Sequence, residues 1–289
     1  MKFRKFYVIY NVNTGYMFYK KFEPQSALAS YIVCYYIWES EKVLDKPLEI
    51  ESPPPAFSSI VFNYGDDYFV SSSGSRKQQV PEQFVIGQQT RSYTLHLTGK
   101  VAMAGIVFKP TGIASIFKIP MHTITQERID LRVFIDYSDV KIVADGIASS
   151  QTAEGKVKAL EEFIMKFFLL RKPVPDAVDH AANIIVENWG KVNIDDLCKQ
   201  VFISRRQFER KFLQKVGLSP KYYARLRRIG YICMKIAGKE EVNWQDLYNE
   251  CEYYDQSHFI KDFTEFTGRP PIVYLNTNKE LIHHLKAKD

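Results

Sequence analysis

The stretch that decides the fold of the carboxy-terminal part spans residues 194–216 and reads IDDLCKQVFISRRQFERKFLQKV. It contains two short helical patterns separated by a turn of a few residues. Asn193 or Asp195 can cap the first helix. Apolar side chains then recur at the spacing of one helix face, at Ile194, Leu197, Cys198 and Val201.

The second pattern begins after Ser204, which predicts a helix cap. Phe208, Phe212, Leu213 and Val216 recur at helical spacing and are expected to face a core. A helix, a tight turn and a second, basic helix predict a helix-turn-helix, whose second helix enters the major groove of DNA. The alternative for this segment alone is a solvated basic face. The polar residues of that face are Arg205, Arg206, Glu209, Arg210 and Gln214.

The pattern occurs a second time after a connecting helix expected over residues 221–237. Residues 244–251 predict a short helix, 252–254 a turn, and 256–267 a second helix. Two units on one chain can present their second helices to major-groove segments about 34 Å apart. Adding 51 to positions in the first unit pairs Ser204 with Asp255, Phe208 with Phe259, Phe212 with Phe263, Gly217 with Gly268, Pro220 with Pro271 and Tyr223 with Tyr274.

Residues 178–275 resemble the DNA-binding domain of the AraC/XylS family of bacterial transcription regulators. The resemblance is carried by IDDLCKQVFISRRQFERKF, GLSPKYYARLRR and YYDQSHFIKDFTEFTGRPPIVYL. The amino-terminal segment GQQTRSYTLHLTGKVAMAGIVFKPTGIASIF is similar to a sensor-like domain seen with this family. Family members usually carry glycine in each turn, where this chain has Phe202 and Glu252. Since glycine tolerates a positive φ, turns of different geometry are expected.

Three side chains of the first unit are predicted to read bases. With Phe208 facing inward, Arg206, Glu209 and Arg210 point outward, and the resemblance implies the same three positions. Arginine suits guanine, and glutamate can accept a hydrogen bond from cytosine. Arg205 and Lys211 are expected to contact phosphates or solvent.

In the second unit the corresponding set is less charged. We expect DNA contacts from Gln256 at the helix start and from Ser257, His258 and Lys261. The alternative for His258 is an ordinary surface or packing histidine. Both units are expected to bind DNA, with the first giving the sharper discrimination.

The amino-terminal half has a sequence pattern typical of β-strands, and an antiparallel barrel or sandwich is expected. Residues 63–67 predict a hairpin turn between two of the strands. Short helices are expected over 113–119 and 130–134. The predicted strands cover residues 6–10, 16–22, 31–38, 58–64, 68–72, 84–88 and 93–97.

A longer helix is expected over 152–170, with an apolar seam that either pairs two subunits or packs on the amino-terminal domain. The prolines in 171–175 predict a linker. The expected fold class is therefore α+β. It comprises a β-rich sensor or oligomerisation domain over 1–172 and an all-α DNA-binding domain over 173–289, with two helix-turn-helix units joined by a linker helix.

Composition fits a folded protein with a polyanionic partner. The chain has 289 residues, 46% hydrophobic content and a formal net charge of +6. The basic residues concentrate between Lys191 and Lys239. The four cysteines are dispersed, which is typical of a reducing compartment. The basic start is followed by an apolar run too short for a signal peptide, and no apolar segment is long enough to span a membrane. We therefore expect a cytoplasmic protein.

No HExxH, P-loop, GxSxG or dinucleotide motif occurs in the sequence, so we expect no enzyme, no cofactor and no metal. The alternative is a DNA-repair or nucleic-acid-modifying protein with the same type of DNA-binding domain, which would need a reactive cysteine. Duplex DNA is the expected partner, with RNA polymerase, a small-molecule effector and a second copy as further hypotheses, and no membrane. Two roles are open for five aromatic residues, which either line a ligand pocket or belong to the ordinary core. They are Tyr31, Tyr35, Tyr36, Trp38 and Phe62.

Overall fold

The computed structural model describes residues 17–72, 75–239 and 241–277. The described chain has a β-rich amino-terminal part followed by a helical carboxy-terminal part, which confirms the predicted fold class. The strand predicted at 6–10 lies outside the described residues. None of the described helices is both long enough and apolar enough to cross a bilayer.

In the described residues the β-rich part consists of two open antiparallel sheets. One has six strands in the order β1-β2-β9-β4-β7-β10, and the other has four in the order β3-β8-β5-β6. The strands are β1 Met17–Phe22, β2 Ile32–Ser40, β3 Leu44–Ser52, β4 Ser58–Asn63, β5 Phe69–Ser72, β6 Gln78–Gln79, β7 Gln83–Ile86, β8 Tyr93–Gly99, β9 Ala102–Phe108 and β10 Arg128–Asp130.

The six-stranded sheet is covered on both faces. Its strand β4 is buried along its whole length, because Val61 faces the core shared with the four-stranded sheet while Ile60 and Phe62 face a layer of helices. These helices are α1 Gly112–Phe117, α2 Tyr137–Ser149 and α3 Ala153–Arg171.

The apolar seam of α3 packs within the amino-terminal part. Val157, Leu160 and Ile164 are buried in the cluster that contains the six-stranded sheet. Of the two interpretations of this seam, packing on the amino-terminal domain therefore accounts for its side chains.

Six helices follow, each beginning at or next to a residue that satisfies its amino-terminal N–H groups. Asp176 forms a capping box with Asp179, and Asn193, rather than Asp195, caps the helix that starts at Ile194. Residues 271–277 are also helical. The six helices are α4 Ala177–Glu187, α5 Ile194–Gln200, α6 Arg205–Val216, α7 Pro220–Ile236, α8 Trp244–Glu250 and α9 Gln256–Thr267.

Two local predictions are wrong. Residues 63–67 do not form a hairpin turn, because β4 pairs with β7 and β9 whereas β5 belongs to the other sheet. The turn therefore connects the two sheets. Leu213 does not face the core: it is 43% exposed, since the stripe of α6 that packs inward is carried by Phe208, Phe212 and Val216.

The two parts of the chain contact each other extensively. The Tyr223 hydroxyl donates to the Ala56 carbonyl (2.9 Å), and the Ser92 N–H donates to the Phe266 carbonyl (3.0 Å). Thr125 Oγ1 donates to the carbonyl of Gly217 (2.8 Å) at the end of α6. One apolar cluster includes residues from both parts. The division of the chain at residue 172 stays a prediction.

Candidate DNA-binding surface

The first helix-turn-helix unit consists of α5 and α6. Ser204 accepts a hydrogen bond from the Gln207 N–H (3.4 Å) and caps α6, while Phe208 and Phe212 are fully buried. This packing leaves a polar face of α6 in solvent. Arg206, Glu209 and Arg210 are all exposed on it, as the spacing predicts.

Two guanidinium groups of this face are available to a ligand. Within the described residues no ion pair or hydrogen bond engages Arg206 or Arg210. Arg205 differs, because it forms ion pairs with Asp195 and with Glu209 (Nε to Oε1, 2.9 Å). These two carboxylates raise the pKa of Arg205. Arg205 is thus a positioning partner of Glu209 in this structure as well as the predicted contact to phosphate or solvent.

The second unit consists of α8 and α9. Asp255 accepts a hydrogen bond from the His258 N–H (2.7 Å) and caps α9, while Phe259 and Phe263 are buried. The predicted contact residues Gln256, Ser257, His258 and Lys261 are exposed and lie within the first half of α9.

The position that corresponds to Glu209 in the second unit is Ile260, which is 37% exposed. His258 corresponds to Gln207 instead. Its ring lies 5.4 Å from the ring of Tyr253, and its Nε2 lies 3.7 Å from Asp262. The packing alternative for His258 therefore has support in its contacts, and Ile260 is a surface residue that the sequence reasoning missed.

The two units are structural repeats. Gly217 and Gly268 both end their helices in the left-handed conformation, with φ of 92° and 78°, and Tyr223 and Tyr274 are both buried. Before the helix caps the offset between the units is 50 rather than 51, since Asn193 corresponds to the capping residue Asn243. The second turn therefore contains one additional residue, Tyr254.

Both turns adopt the geometry that glycine favours, although neither contains glycine. Phe202 has φ of 54° and Glu252 has φ of 58°. The following residue closes the turn in each unit: the Ile203 N–H donates to Cys198 and the Tyr253 N–H to Tyr248, both at 3.1 Å. These are the bonds of a Schellman-type helix end. The expectation of a different turn geometry at Phe202 and Glu252 is therefore wrong, because both residues adopt the left-handed conformation that glycine favours.

Helix α7 fixes the second unit through a charged cluster. The Arg225 guanidinium donates to Asp262 (2.7 Å) and to Glu265, and it packs over the rings of Tyr222 and Phe266. The Asp262 side chain is only 3% exposed. Since a nearly buried carboxylate without a cation is costly, this cluster holds α9 against α7.

A second ion cluster fixes the first unit. The Lys215 ammonium group at the end of α6 pairs with Asp179 (2.8 Å) and Asp176 (2.9 Å) at the start of α4. Helices α6 and α9 are therefore both tied to neighbouring helices by charged groups that are at least partly buried.

A cationic cleft of about 530 Å³ lies between the two units, with α7 as its floor. Within the described part of the chain no acceptor engages the ammonium groups of Lys221 or Lys261, which line it. Two carboxylates, Asp195 and Asp262, also line the cleft. The cationic or titratable lining residues are Arg205, Lys221, Arg225, Arg228, His258 and Lys261.

A separate cavity of about 120 Å³ lies between the two sheets and α7. Tyr36 and Trp38 line it, whereas Tyr31, Tyr35 and Phe62 belong to the core on the other face of the six-stranded sheet. The five aromatic residues for which pocket and core were both open thus divide between the two roles. Two guanidinium groups and one carboxylate also line the cavity, from Arg128, Arg227 and Glu51.

The cysteine required by the alternative function does not occur in a reactive setting. All four cysteines are buried. Desolvation by burial raises the pKa of Cys198, and it raises the pKa of Cys251 to about 12. A thiol that stays protonated is a poor nucleophile.

Ser71, His96 and Glu49 form a hydrogen-bonded chain across β5, β8 and β3. Ser71 Oγ lies 2.8 Å from His96 Nε2, and His96 Nδ1 lies 2.7 Å from Glu49 Oε1. The order matches a serine hydrolase triad. However, these residues line neither of the two cavities described above, and Glu49 also pairs with Lys77. These three side chains therefore form a hydrogen-bonded network that links neighbouring strands of the four-stranded sheet. No metal-ligand cluster occurs among the described residues.

Two family models match the chain. A helix-turn-helix domain model matches residues 197–277, and a domain of unknown function matches residues 20–130. None of the curated proteins matches this chain.

Solved structures match the chain at low sequence identity. ToxT from Vibrio cholerae has 10% identity and a TM-score of 0.42, with 84% of this chain and 97% of ToxT covered. ToxT with a bound unsaturated fatty acid has 13% identity and a TM-score of 0.40, with 81% and 96% covered. The AraC-like transcriptional activator CuxR has 12% identity and a TM-score of 0.28, with 75% and 94% covered.

The repeated units and the family match define the class as a DNA-binding protein of the helix-turn-helix type. Within that class, residues 197–277 form a helix-turn-helix domain of the AraC type, which follows a β-rich amino-terminal part.

Proposed function

We propose that this protein is a sequence-specific transcription regulator that reads promoter DNA with α6 and α9 in successive major-groove segments. The observation that carries the proposal is the repeat: two units of the same geometry, joined by α7, expose one polar helix face each. A single chain thereby presents two recognition helices, as a dimer does with two chains.

In the first unit, Arg206 and Arg210 are the proposed guanine-reading residues, since each guanidinium group is exposed and has no ion-pair partner among the described residues. Glu209 is proposed to accept from cytosine. Arg205 restricts the Glu209 carboxylate to one orientation through their ion pair. We therefore assign Arg205 a positioning role in addition to phosphate contact.

In the second unit, the proposed contacts are Gln256, Ser257, His258 and Lys261. Ile260 occupies the position of Glu209, and an exposed aliphatic side chain there suits the methyl group of thymine. This unit is expected to discriminate less sharply because its set has fewer charge-assisted donors.

The cleft between the units is the proposed crossing point of the DNA backbone. When both recognition helices occupy successive major-groove segments, the intervening minor groove faces α7. The ammonium groups of Lys221 and Lys261 then neutralise phosphates, and this contact carries no sequence information.

Selection of a bound sequence from a random duplex pool tests the proposal. We expect enrichment of a site with two conserved blocks about one helical turn apart. The affinity for it should fall steeply between 50 and 200 mM salt. Absence of enrichment at moderate salt would refute the proposal.

We further propose that the amino-terminal domain modulates DNA binding through an effector in the cavity. Aromatic walls with two guanidinium groups favour a small apolar acid. Titration with carboxylic acids, each beside its uncharged amide as a matched control, should change DNA affinity for an acid only. Contact with RNA polymerase and self-association stay predictions.

The repair alternative is disfavoured by the buried cysteines, because alkyl transfer requires an accessible thiolate.

A further inference from the structure

Each of the two turns exposes one aromatic side chain almost completely. Phe202 in the first turn is 96% exposed, and Tyr254 in the second is 95% exposed. Both precede the cap of a recognition helix directly or by one residue. The rings therefore lie where the chain enters the surface proposed to face DNA.

Among the residues that the structure describes, no packing contact accounts for the phenyl ring of Phe202, which is exposed to solvent. The residue has φ of 54°, in the left-handed region where a side chain is disfavoured and glycine is not. The turn does not need the ring, because Glu252 forms the same turn in the second unit with φ of 58°. Phe202 thus combines backbone strain, which Glu252 shares, with an apolar side chain in water, which Glu252 does not have.

Tyr254 is the residue by which the second turn is longer. The packing role in that turn belongs to Tyr253, which is buried and whose ring lies 5.4 Å from Phe259. A residue directly before a helix cap often packs on the fourth helical residue, which here is also Phe259. Tyr254 makes no such contact, since its side chain extends into solvent. The inserted residue therefore adds an exposed ring and no core.

We propose that the Phe202 and Tyr254 rings contact the apolar surface of the DNA duplex, formed by deoxyribose carbons and thymine methyl groups, where each recognition helix enters the major groove. The charge beside Phe202 favours DNA as the partner, because Arg205 and Arg206 follow the first turn at the start of α6. Tyr254 lies between Glu252 and Asp255 in sequence, and the nearest cationic side chain along α9 is Lys261 in its second turn. Phenylalanine is among the side chains that contact the thymine methyl group.

This inference rests on the proposed function and deepens it. It assigns apolar contacts to residues outside the recognition helices. Such contacts add affinity at the groove edge without hydrogen-bond donors, and their sequence dependence is limited to thymine.

The test compares three variants of the full-length protein for thermal unfolding and for affinity to the selected duplex. Phe202→Gly should raise the unfolding midpoint, because glycine relieves the left-handed strain. It should at the same time weaken DNA binding about three- to tenfold, the range expected when part of one aromatic side chain is no longer buried.

Glu252→Gly is the matched control, since it relieves the same strain in the equivalent turn without removing a ring. It should raise the unfolding midpoint with no loss of affinity. Tyr254→Ala should weaken binding by a similar factor to Phe202→Gly and leave the midpoint unchanged. A duplex with deoxyuridine in place of thymidine distinguishes the two apolar sources: the Phe202→Gly effect persists for a deoxyribose contact and disappears for a methyl contact.

Several outcomes would overturn the inference. If wild type binds the selected duplex and Phe202→Gly binds equally well, the inference fails while the proposed function stands. If Phe202→Gly keeps its affinity but loses promoter output, the ring serves a protein partner such as RNA polymerase. If wild type selects no sequence, the proposed function itself fails.

Discussion

The two helix-turn-helix units share a backbone geometry but differ at the helix positions that bind α7 in the second unit. Lys211 and Gln214 in α6 correspond to Asp262 and Glu265 in α9. The carboxylates of the second unit bind Arg225 of α7, whereas α6 is tied to α4 through Lys215. The two units therefore have the same helix-turn-helix geometry but are fixed to different neighbouring helices. The comparison indicates that residues outside the exposed polar faces of α6 and α9 fix the orientation of the two units.

The largest effect is expected from Arg225→Ala, which leaves the nearly buried Asp262 carboxylate without its cation. We expect a loss of about 2–4 kcal/mol of unfolding free energy, measured by denaturant titration. A footprint on the selected site should retain the half contacted by α6 and lose the half contacted by α9.

The control for this variant is Lys158→Ala, which removes an exposed ion pair with Glu162 and should change stability by less than about 1 kcal/mol. An unaltered two-part footprint for Arg225→Ala would show that α7 does not fix the second unit through this cluster.

The comparison of reading faces is sharpened by Arg210→Ala and its counterpart Lys261→Ala. Arg210→Ala should cost about 1–3 kcal/mol at one or two adjacent base pairs, since it removes a bidentate donor. Lys261→Ala should cost less and be less specific. Competition with singly substituted duplexes measures both. Equal weakening on every duplex would identify Arg210 as a phosphate contact instead.

A smaller effect is expected from Lys221→Ala in the cleft between the units. Loss of one phosphate contact should weaken binding uniformly across sequences and reduce the salt slope by about 1. Affinity measured from 50 to 200 mM salt reports the slope. Position-dependent weakening would place Lys221 at a base edge rather than at the backbone.

The smallest effect is expected at the cysteines, one in each unit. Burial raises the pKa of both Cys198 and Cys251, so a thiol reagent at pH 8 should leave both unmodified in the folded protein and modify both in denaturant. Rapid labelling of either thiol in the folded state would revive the repair alternative.

The sequence predicted the recognition helices well because their limits are set locally. Ser204 and Asp255 supply caps, Gly217 and Gly268 end the helices, and the paired phenylalanines define the buried face. Each of these residues has one physical role, which neighbouring residues suffice to reveal.

Features that depend on distant contacts were not predicted. The partners of β4 are chosen by sheet assembly, so a local turn signal over residues 63–67 gave the wrong pairing. Strand β3 was missed because Pro47 interrupts it, at an irregularity in the pairing between Leu44 and Leu48. Helix α2 was also missed. Its buried residues Val140, Val143 and Ile147 are three and four positions apart, which is helical spacing, so a local signal for this helix was present in the sequence.

Parts of the candidate surface depended on distant contacts as well. The offset of 51 was read from residues after the caps, and it concealed the inserted Tyr254. The ion pairs of Arg205 and Arg225 join helices whose relative placement the sequence does not specify. The cleft and the interdomain cavity arise from that placement.

Because Gly217 at the end of α6 contacts the amino-terminal domain, a small movement at this end would displace the start of α6 by a larger distance. A Cβ at Gly217 would lie 2.6 Å from Thr125 Oγ1 and 2.8 Å from the Met121 carbonyl oxygen, so the end of α6 is held closely. The 12 residues of α6 extend about 18 Å from this pivot. A tilt of about 5° at residues 121–125 would therefore displace the start of the reading face by about 1.6 Å. That displacement is large enough to break bidentate hydrogen bonds to a base.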